Sequence, residues 1–151
     1  QDARGDPLPP PTGEVVLTVT GNINNTNAED AANFDRAMLE GIGLWTIETT
    51  TPWTDGRQSY VGVLARDLLL AVGARGQRVT ARGLNDYIVD IPIADFLTYP
   101  VIFAFKVDDR YMRVRDKGPV LIVYPRDKFD ELKSPRYSSK WVWQLRELDI
   151  K

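Results

Sequence analysis

The segment Lys117–Pro125 reads KGPVLIVYP and contains five consecutive apolar residues, Val120–Tyr124. A short run that is rich in β-branched and aromatic residues is typical of a buried strand. Upstream, Val101–Val107 and Arg110–Val114 flank Asp108-Asp109, a pair that is typical of a hairpin turn. We therefore expect this part of the chain to form a sheet that contains a buried strand.

The sequence on either side of this segment predicts an α+β fold with mixed sheets and short helices. Further strands are predicted at Glu14–Gly21, Leu44–Thr51, Arg78–Arg82, Tyr87–Ile91 and Trp141–Leu148. Helices are predicted in the latter part of Ala28–Glu40 with Gly41 as the stop, over Gly62–Val72 with Gly73 as a left-handed cap, and from Pro92 through Leu97.

The composition limits the chemistry that the side chains can perform. Among 151 residues, 19 Lys and Arg stand against 21 Asp and Glu, and the net charge of −2 argues against nucleic acid as a partner. The chain has no histidine and no cysteine, which excludes serine–histidine and cysteine–histidine catalysis. Imidazole and thiolate are also the main protein ligands of transition metals, so we expect no such metal held directly by side chains.

The N-terminal residues differ in character from the rest of the chain. Asp6–Pro11 contains four prolines, which favour an extended conformation, so residues 1–13 are predicted to form an arm ahead of one domain over residues 14–151. Gln1-Asp2-Ala3 fits a start left by signal cleavage and predicts a periplasmic or secreted protein, although trimming would give the same start. No apolar run approaches the roughly 20 residues of a spanning helix, so no membrane insertion is expected.

Four segments at the ends of predicted strands are candidates for a binding site, because loops at such positions present side chains to ligands. Arginine, lysine and exposed aromatic residues there would suit an anion or a planar ring. The alternative is a set of solvated loops in which Trp53 and Trp141 pack in the core. The four segments are Thr49–Trp53, Asn85–Tyr87, Arg113–Gly118 and Tyr137–Trp141.

Charged residues elsewhere have simpler interpretations. Arg113, Arg115 and Lys117 alternate in sequence, which would place their charges on one strand face as an anion site or as a solvated edge. Glu48 fits the wet face of an alternating strand better than a cleft carboxylate. Asp108-Asp109 lacks the spaced oxygen ligands of a calcium site, and turn chemistry explains the pair.

Taken in order, several motifs resemble the molybdopterin-binding domain of the sulfite-oxidase family. Two lie early in the chain: Thr49-Thr50-Thr51-Pro52-Trp53, and the passage from Tyr60-Val61-Gly62-Val63-Leu64 to Asp67-Leu68-Leu69. Three lie later: Asn85-Asp86-Tyr87, the segment KGPVLIVYP, and Ser139-Lys140-Trp141-Val142. The resemblance covers most of the chain from Glu14 onward, and each motif is short.

The resemblance implies a sulfite-oxidase-like α+β fold with a cofactor cleft. Enzymes of this family attach molybdenum through a cysteine thiolate, and the resemblance places that position at Thr49 or Thr50, within one residue. A neutral hydroxyl does not replace a soft, ionised sulfur ligand. The resemblance also places Arg115, Lys117 and Lys140 beside the cleft, where their positive charge would suit a smaller anionic ligand.

The sequence therefore leaves three functions open. The first is a non-catalytic module that needs no cofactor and binds a small anionic or planar ligand, or a membrane-bound sensor protein. The second is a molybdopterin-dependent oxidoreductase in which the pterin supplies the sulfur ligands. The third is a structural domain that uses Trp141 and Trp143 at an interface. The cleft of the first function would contain Thr49, Thr50, Trp53, Asp86, Tyr87, Arg115, Lys117 and Lys140.

Overall fold

The computed structural model describes residues 8–83 and 86–151, except for the side chains of residues 54 and 55. Within these residues the strands form two sheets, and short helices connect them, which confirms the α+β prediction. The strands are β1 (Val15–Gly21), β2 (Ala31–Asp35), β3 (Trp45–Thr51), β4 (Thr54–Leu64), β5 (Arg78–Gly83), β6 (Ile88–Pro92), β7 (Ile102–Val107), β8 (Arg110–Tyr111), β9 (Leu121–Val123) and β10 (Leu145–Ile150).

The first sheet has the strand order β2-β1-β10-β5-β6. Strand β1 is parallel to β10, and the other neighbours are antiparallel. Alternation along β1 buries Leu17 and Val19 completely, as the period of two of a half-buried strand predicts. The C-terminal strand is therefore central to a sheet whose outer strands come from early and middle parts of the chain.

The second sheet has the order β3-β4-β7-β8, and β9 also pairs with β7. The apolar run of KGPVLIVYP forms β9, with Phe103 paired to Ile122 and both side chains fully buried. Burial of such side chains is the main stabilising contribution in a domain of this size. The prediction of a buried strand at this segment is confirmed.

In the described part of the chain, four short α-helices lie in the connections. They are α1 (Arg36–Ile42), α2 (Ala65–Ala71), α3 (Ile93–Thr98) and α4 (Pro135–Ser138). The carboxylate of Asp35 caps α1 by accepting from the Met38 amide at 2.8 Å, which satisfies one of the free N–H groups at the helix start. The predicted stop at Gly41 was wrong: the helix ends at Ile42, and Gly43 with φ 138° follows as its cap.

The residues that precede β1 lie against β2. Asn27 donates to the Pro9 carbonyl at 2.9 Å, and the amides of Thr12 and Gly13 donate to the Asp35 carboxylate at 3.1 and 2.9 Å. Residues 1–7 lie outside the described part of the chain. The predicted arm over residues 1–13 and the domain boundary after it stay predictions.

The predicted helix over Gly62–Val72 is shorter than expected. Residues 62–64 end β4, and the helix begins only at Ala65, with Gly73 in the predicted left-handed conformation at φ 64°. A Cβ atom at Gly62 would collide with the main chain of Phe103 on β7. This glycine lets β4 and β7 approach closely. The contact explains why residues 62–64 belong to the strand although their pattern also fits the helix that follows.

Other boundaries also differ from the sequence predictions. Residues 31–35 form β2 rather than the run-up to a helix. The hairpin strand expected over Arg110–Val114 stops at Tyr111, and Val114–Asp116 form a 3₁₀ turn. The last strand begins at Leu145, four residues later than expected, because Gln144 adopts a left-handed conformation with φ 53°.

Candidate ligand-binding site

Three indole rings and one ammonium group form what we call the tryptophan–lysine cluster: Trp53, Trp141, Trp143 and Lys117. Trp53 packs edge-to-face against Trp141 at 5.3 Å and against Trp143 at 5.0 Å between ring centroids. The Lys117 ammonium lies 4.8 Å from the centre of the Trp143 ring and 5.7 Å from that of Trp53. Attraction to the ring faces holds this cation at the surface.

The main chain around Lys117 is fixed from several sides. Lys117 ends the 3₁₀ turn in a left-handed conformation with φ 74°, and its carbonyl accepts from the Gln144 amide at 2.8 Å. The Gln144 side chain donates to the Val114 carbonyl at 2.9 Å. A Cβ atom at Gly118 would lie 2.5 Å from that of Met112, so only glycine allows this close approach.

Two of the three indole rings of the cluster come from the residues before β10, and Trp53 comes from the β3–β4 turn. Trp143 is 45% exposed, whereas Trp141 is 3% exposed. The Nε1 atom of Trp141 is buried without a hydrogen-bond partner among the described residues, which is costly for a polar group. The cluster therefore combines a buried indole, a half-exposed indole and a cation, the elements that bind planar anions.

Thr49 and Thr50, at the position implied for the metal-binding cysteine, are tied to Asp127. The Thr50 hydroxyl donates to one carboxylate oxygen of Asp127 at 2.6 Å, and the Thr50 amide donates to the other at 3.1 Å. The Thr49 hydroxyl donates to the Thr50 carbonyl at 2.9 Å and accepts from the Asp127 amide at 3.3 Å. Both hydroxyl protons are thus engaged inside the protein.

Two arginines complete this network, which we call the threonine–aspartate network. Arg126 donates to the Thr50 hydroxyl at 3.0 Å and to the Thr51 carbonyl at 3.1 Å, and Arg57 donates to Asp127 at 3.1 Å. Burial raises the pKa of Asp127, but hydrogen bonds from Thr50 and from Arg57 outweigh burial and hold that pKa below its usual value. Asp127 is therefore a carboxylate at neutral pH.

The residues at this position do not fit a direct molybdenum ligand. Thr49 is fully buried and its hydroxyl is hydrogen-bonded on both sides, and a neutral hydroxyl has little affinity for a soft metal. In the part of the chain that the structure describes, no group of three or more acidic side chains is placed to hold a metal ion.

Lys140 lies in a buried polar network rather than in an open cleft. Its ammonium is 2.9 Å from the Asp95 carboxylate, and each side chain is 9% exposed. The hydroxyl of Tyr124 donates to the same carboxylate at 3.1 Å, and the Lys140 ammonium also lies 4.8 Å from the Tyr137 ring. Burial in a low-dielectric site and the charge of Asp95 raise the pKa of Tyr124, so its hydroxyl stays protonated.

The remaining predicted site residues are dispersed. Asp86 is exposed and forms an ion pair with Arg82 at 3.7 Å. The Tyr87 hydroxyl donates to the Ser139 carbonyl at 2.6 Å, next to Lys140. Arg115 is exposed on the 3₁₀ turn. Asn85, in the same predicted segment as Asp86, lies outside the described residues.

The predicted strand face of alternating cations was wrong. Because Val114–Asp116 form a 3₁₀ turn, Arg113 folds back onto Asp116 at 3.1 Å, and Arg110 approaches the same carboxylate at 3.3 Å. Hydrogen bonds from the Arg113 main chain and side chain lower the pKa of Asp116 to about 2. Only Lys117, at the end of the turn, reaches the indole rings.

Sequence reasoning missed Asp95, Arg126 and Asp127, which lie 29 to 77 residues from the partners they hold. Trp143 was considered only as an interface residue. Trp141 and Trp143 are two residues apart, which indicates that both lie close to the same site. No local sequence pattern predicts the turn at Gln144 that orients them. The structure thus brings Trp53 and Lys117 together and assigns Thr49, Thr50 and Lys140 to internal networks.

One mixed sheet and one antiparallel sheet with short connecting helices, and a β3–β4 turn beside the segment that precedes the last strand, give the domain a sulfite-oxidase-like α+β fold. The crystal structure of the sulfane dehydrogenase SoxCD from Paracoccus pantotrophus is similar, with a TM-score of 0.64 and 20% sequence identity. The similarity covers 89% of this chain and 37% of that chain. This chain therefore spans little more than a third of the neighbour's length.

No protein-family model matches the chain, and no curated protein matches its sequence. A similarity at 20% identity shows the fold alone, because one fold hosts many activities. Function must be argued from the side chains of this chain. None of the helices within residues 8–83 and 86–151 has the length and apolar character that a membrane crossing requires.

Proposed function

We propose that this protein is a non-catalytic binding module on a sulfite-oxidase-like fold, and that a small planar anion binds at the tryptophan–lysine cluster. The observation that supports this most directly is the environment of Lys117. Its ammonium lies against the faces of Trp53 and Trp143, and no carboxylate of the described residues lies within 4 Å of it. An anion that stacks on the half-exposed Trp143 ring would supply the missing charge.

The lack of imidazole and thiol side chains supports binding rather than catalysis. Histidine and cysteine do not occur in the chain, and the two threonine hydroxyls are engaged in the threonine–aspartate network. A module that binds a ligand without converting it requires a second protein that responds to the bound state. A membrane-bound sensor protein as that partner, and a periplasmic or secreted location, belong to this proposal.

The first experiment measures the melting temperature by calorimetry in the presence of benzoate, nicotinate, cyclohexanecarboxylate and inorganic phosphate. A planar aromatic anion should stabilise the protein by about 1.4 kcal/mol at ten times its dissociation constant. Cyclohexanecarboxylate has the same charge without the flat ring and should have a smaller effect. Equal shifts with all four anions would show binding by charge alone and would contradict stacking on the indole rings.

Variants locate the response on the protein. Lys117→Met should abolish the response to aromatic anions, because it removes the cation and keeps a side chain of similar length. Lys133→Met is the matched control, since Lys133 is 49% exposed and, among the described residues, forms an ion pair only with Asp130 at 3.6 Å. The proposal is wrong if both variants keep the response, or if both lose it.

The alternative is a molybdopterin-dependent oxidoreductase in which the pterin supplies the sulfur ligands. The similarity to the sulfane dehydrogenase SoxCD is the observation that favours it. Elemental analysis for molybdenum and tungsten, on protein expressed in a host that makes the cofactor, separates the two functions. Metal at about one atom per chain would favour the enzyme and contradict the binding module. Metal-free folded protein would favour the binding module.

A further inference from the structure

The outer edge of β3 is a second surface that the ligand site does not use. β3 is the first strand of its sheet, and within the described residues no strand pairs with its outer side. Unpaired main-chain groups on an edge strand are a template for another extended chain. The question is which groups of β3 face outward and what lies beside them.

The hydrogen bonds that β4 makes on the side away from β3 determine the direction of the main-chain groups of β3. Ser59 on β4 donates its amide to the Asp108 carboxylate at 3.0 Å, and its carbonyl accepts from the Asp108 amide at 2.8 Å. Both groups therefore point away from β3. Glu48 is the antiparallel partner of Ser59, so this is a non-hydrogen-bonded pair, and the amide and carbonyl of Glu48 point to the open edge.

Alternation along a strand extends this result to Thr46, two residues earlier. Thr46 and Glu48 together present two amides and two carbonyls at the edge. The Thr50 amide also points outward, but the Asp127 carboxylate occupies it at 3.1 Å. The threonine–aspartate network thus closes the C-terminal end of the edge and limits the open part to the N-terminal half of β3.

A groove of about 360 Å³ runs beside this open part. The groove is lined by the N-terminal half of β3, by Arg57 on β4, and by Pro100, Pro125, Asp127 and Lys128 in the facing loops. Trp45 is 42% exposed at one end. The prolines have no N–H to offer to the carbonyls of Thr46 and Glu48.

We propose that the groove binds an extended segment of a partner protein, which pairs with Thr46 and Glu48 and carries a basic residue opposite Glu48. Glu48 is exposed and forms no ion pair with any described residue, whereas Arg57 is paired with Asp127. Opposite charges directly across two strands are favourable, and like charges are unfavourable. An apolar residue of the segment contacts Trp45.

The test uses ¹⁵N-labelled full chain and two capped seven-residue peptides of alternating threonine and valine, one with a central lysine and one with a central glutamate. The lysine peptide should shift the amide signals of Thr46 and Glu48 and slow their hydrogen exchange. The Ile47 amide, which bonds to β4, should not change its exchange. Absence of shifts at millimolar peptide would overturn the proposal, as would shifts at Trp53 and Trp143 alone.

Two variants test the register and the charge. Thr46→Pro removes an outward amide without removing a bond to β4, so it should keep the melting temperature and lose peptide binding. Glu48→Lys should change the ratio of lysine-peptide to glutamate-peptide affinity about five-fold in favour of glutamate. An unchanged affinity ratio would overturn the proposed occupant. Amide signals of Thr46 and Glu48 that shift with protein concentration in the absence of peptide would overturn it as well. Lys117→Met should leave peptide binding intact, which separates this surface from the ligand site.

Discussion

Lys117 and Lys140 show how differently one side-chain type is used in a single fold. Lys140 is almost fully buried and compensated by Asp95 at 2.9 Å, whereas Lys117 lies half-buried on indole rings without a carboxylate partner among the described residues. A buried charge needs a partner to offset its desolvation, but a cation near the surface does not. The comparison assigns Lys140 to stability and leaves Lys117 as the cation of the proposed ligand site, and substitutions of each lysine test the two assignments.

The largest effect is expected for Lys140→Met. The substitution leaves the Asp95 carboxylate buried without its cation, and the free energy of unfolding should fall by about 3 kcal/mol. Urea denaturation measures the loss, with Lys133→Met as the control. Lys140→Met combined with Asp95→Asn should recover part of the loss, because no unpaired charge remains; a single variant as stable as the control would contradict a structural role for Lys140.

A smaller loss is expected for Asp127→Asn, which disrupts the threonine–aspartate network. Arg57 loses its anion, and the amide and hydroxyl of Thr50 lose a charged acceptor, so the free energy of unfolding should fall by about 2 kcal/mol. Asp130→Asn is the control, because its side chain is 97% exposed. The response to aromatic anions should survive in both variants; its loss in Asp127→Asn alone would mean that the network and the cluster act as one site.

Acid should destabilise the protein through the same hydrogen-bonded carboxylates. The pKa of Asp35 is lowered by the Met38 amide, those of Asp127 and Asp116 are also lowered, and that of Asp116 falls to about 2. A lowered folded-state pKa contributes stability above the unfolded-state value, and this contribution is lost as the pH falls through the folded-state value. The melting temperature should therefore drop between about pH 4 and pH 2. Asp127→Asn should make that drop shallower.

The smallest effect on stability is expected for Lys117→Met. Loss of an exposed cation–π contact should change the free energy of unfolding by about 0.5 kcal/mol, measured in urea. The same variant should nevertheless lose its response to aromatic anions. A stability loss as large as that of Lys140→Met would show that the two lysines have the same role.

Local sequence patterns predicted the parts of the fold in which one interaction dominates. Val120–Tyr124 is apolar at every position, so only burial suits it, and the structure places it in and around β9. β4 was missed because its first half is polar and its end, at Gly62–Leu64, continues smoothly into a helical pattern. Close contact of Gly62 with β7 decides that boundary, and the contact joins residues about 40 positions apart.

In the candidate site, too, local patterns predicted some residues, and long-range contacts decide the role of the others. Trp53 and Lys117 were predicted because loops at strand ends carry exposed aromatic and basic residues, and the structure brings them together. The partners that withdraw Thr50 and Lys140 from such a site, Asp127 and Asp95, lie 77 and 45 residues away. A local sequence pattern cannot contain pairings over that distance. Only the folded structure therefore shows that Thr50 and Lys140 are engaged inside the protein, whereas the Lys117 ammonium is available.

The tryptophan–lysine cluster also gives the protein its own optical reporters. Three of the four tryptophans belong to the cluster, and the fourth, Trp45, lies at the groove beside β3. Indole emission depends on solvent contact and on nearby charge, so the exposed Trp45 and the packed rings beside Lys117 should emit as distinct components. In Trp45→Phe only the cluster would remain visible. Occupancy of the two surfaces can then be followed separately by intrinsic fluorescence, without any attached dye.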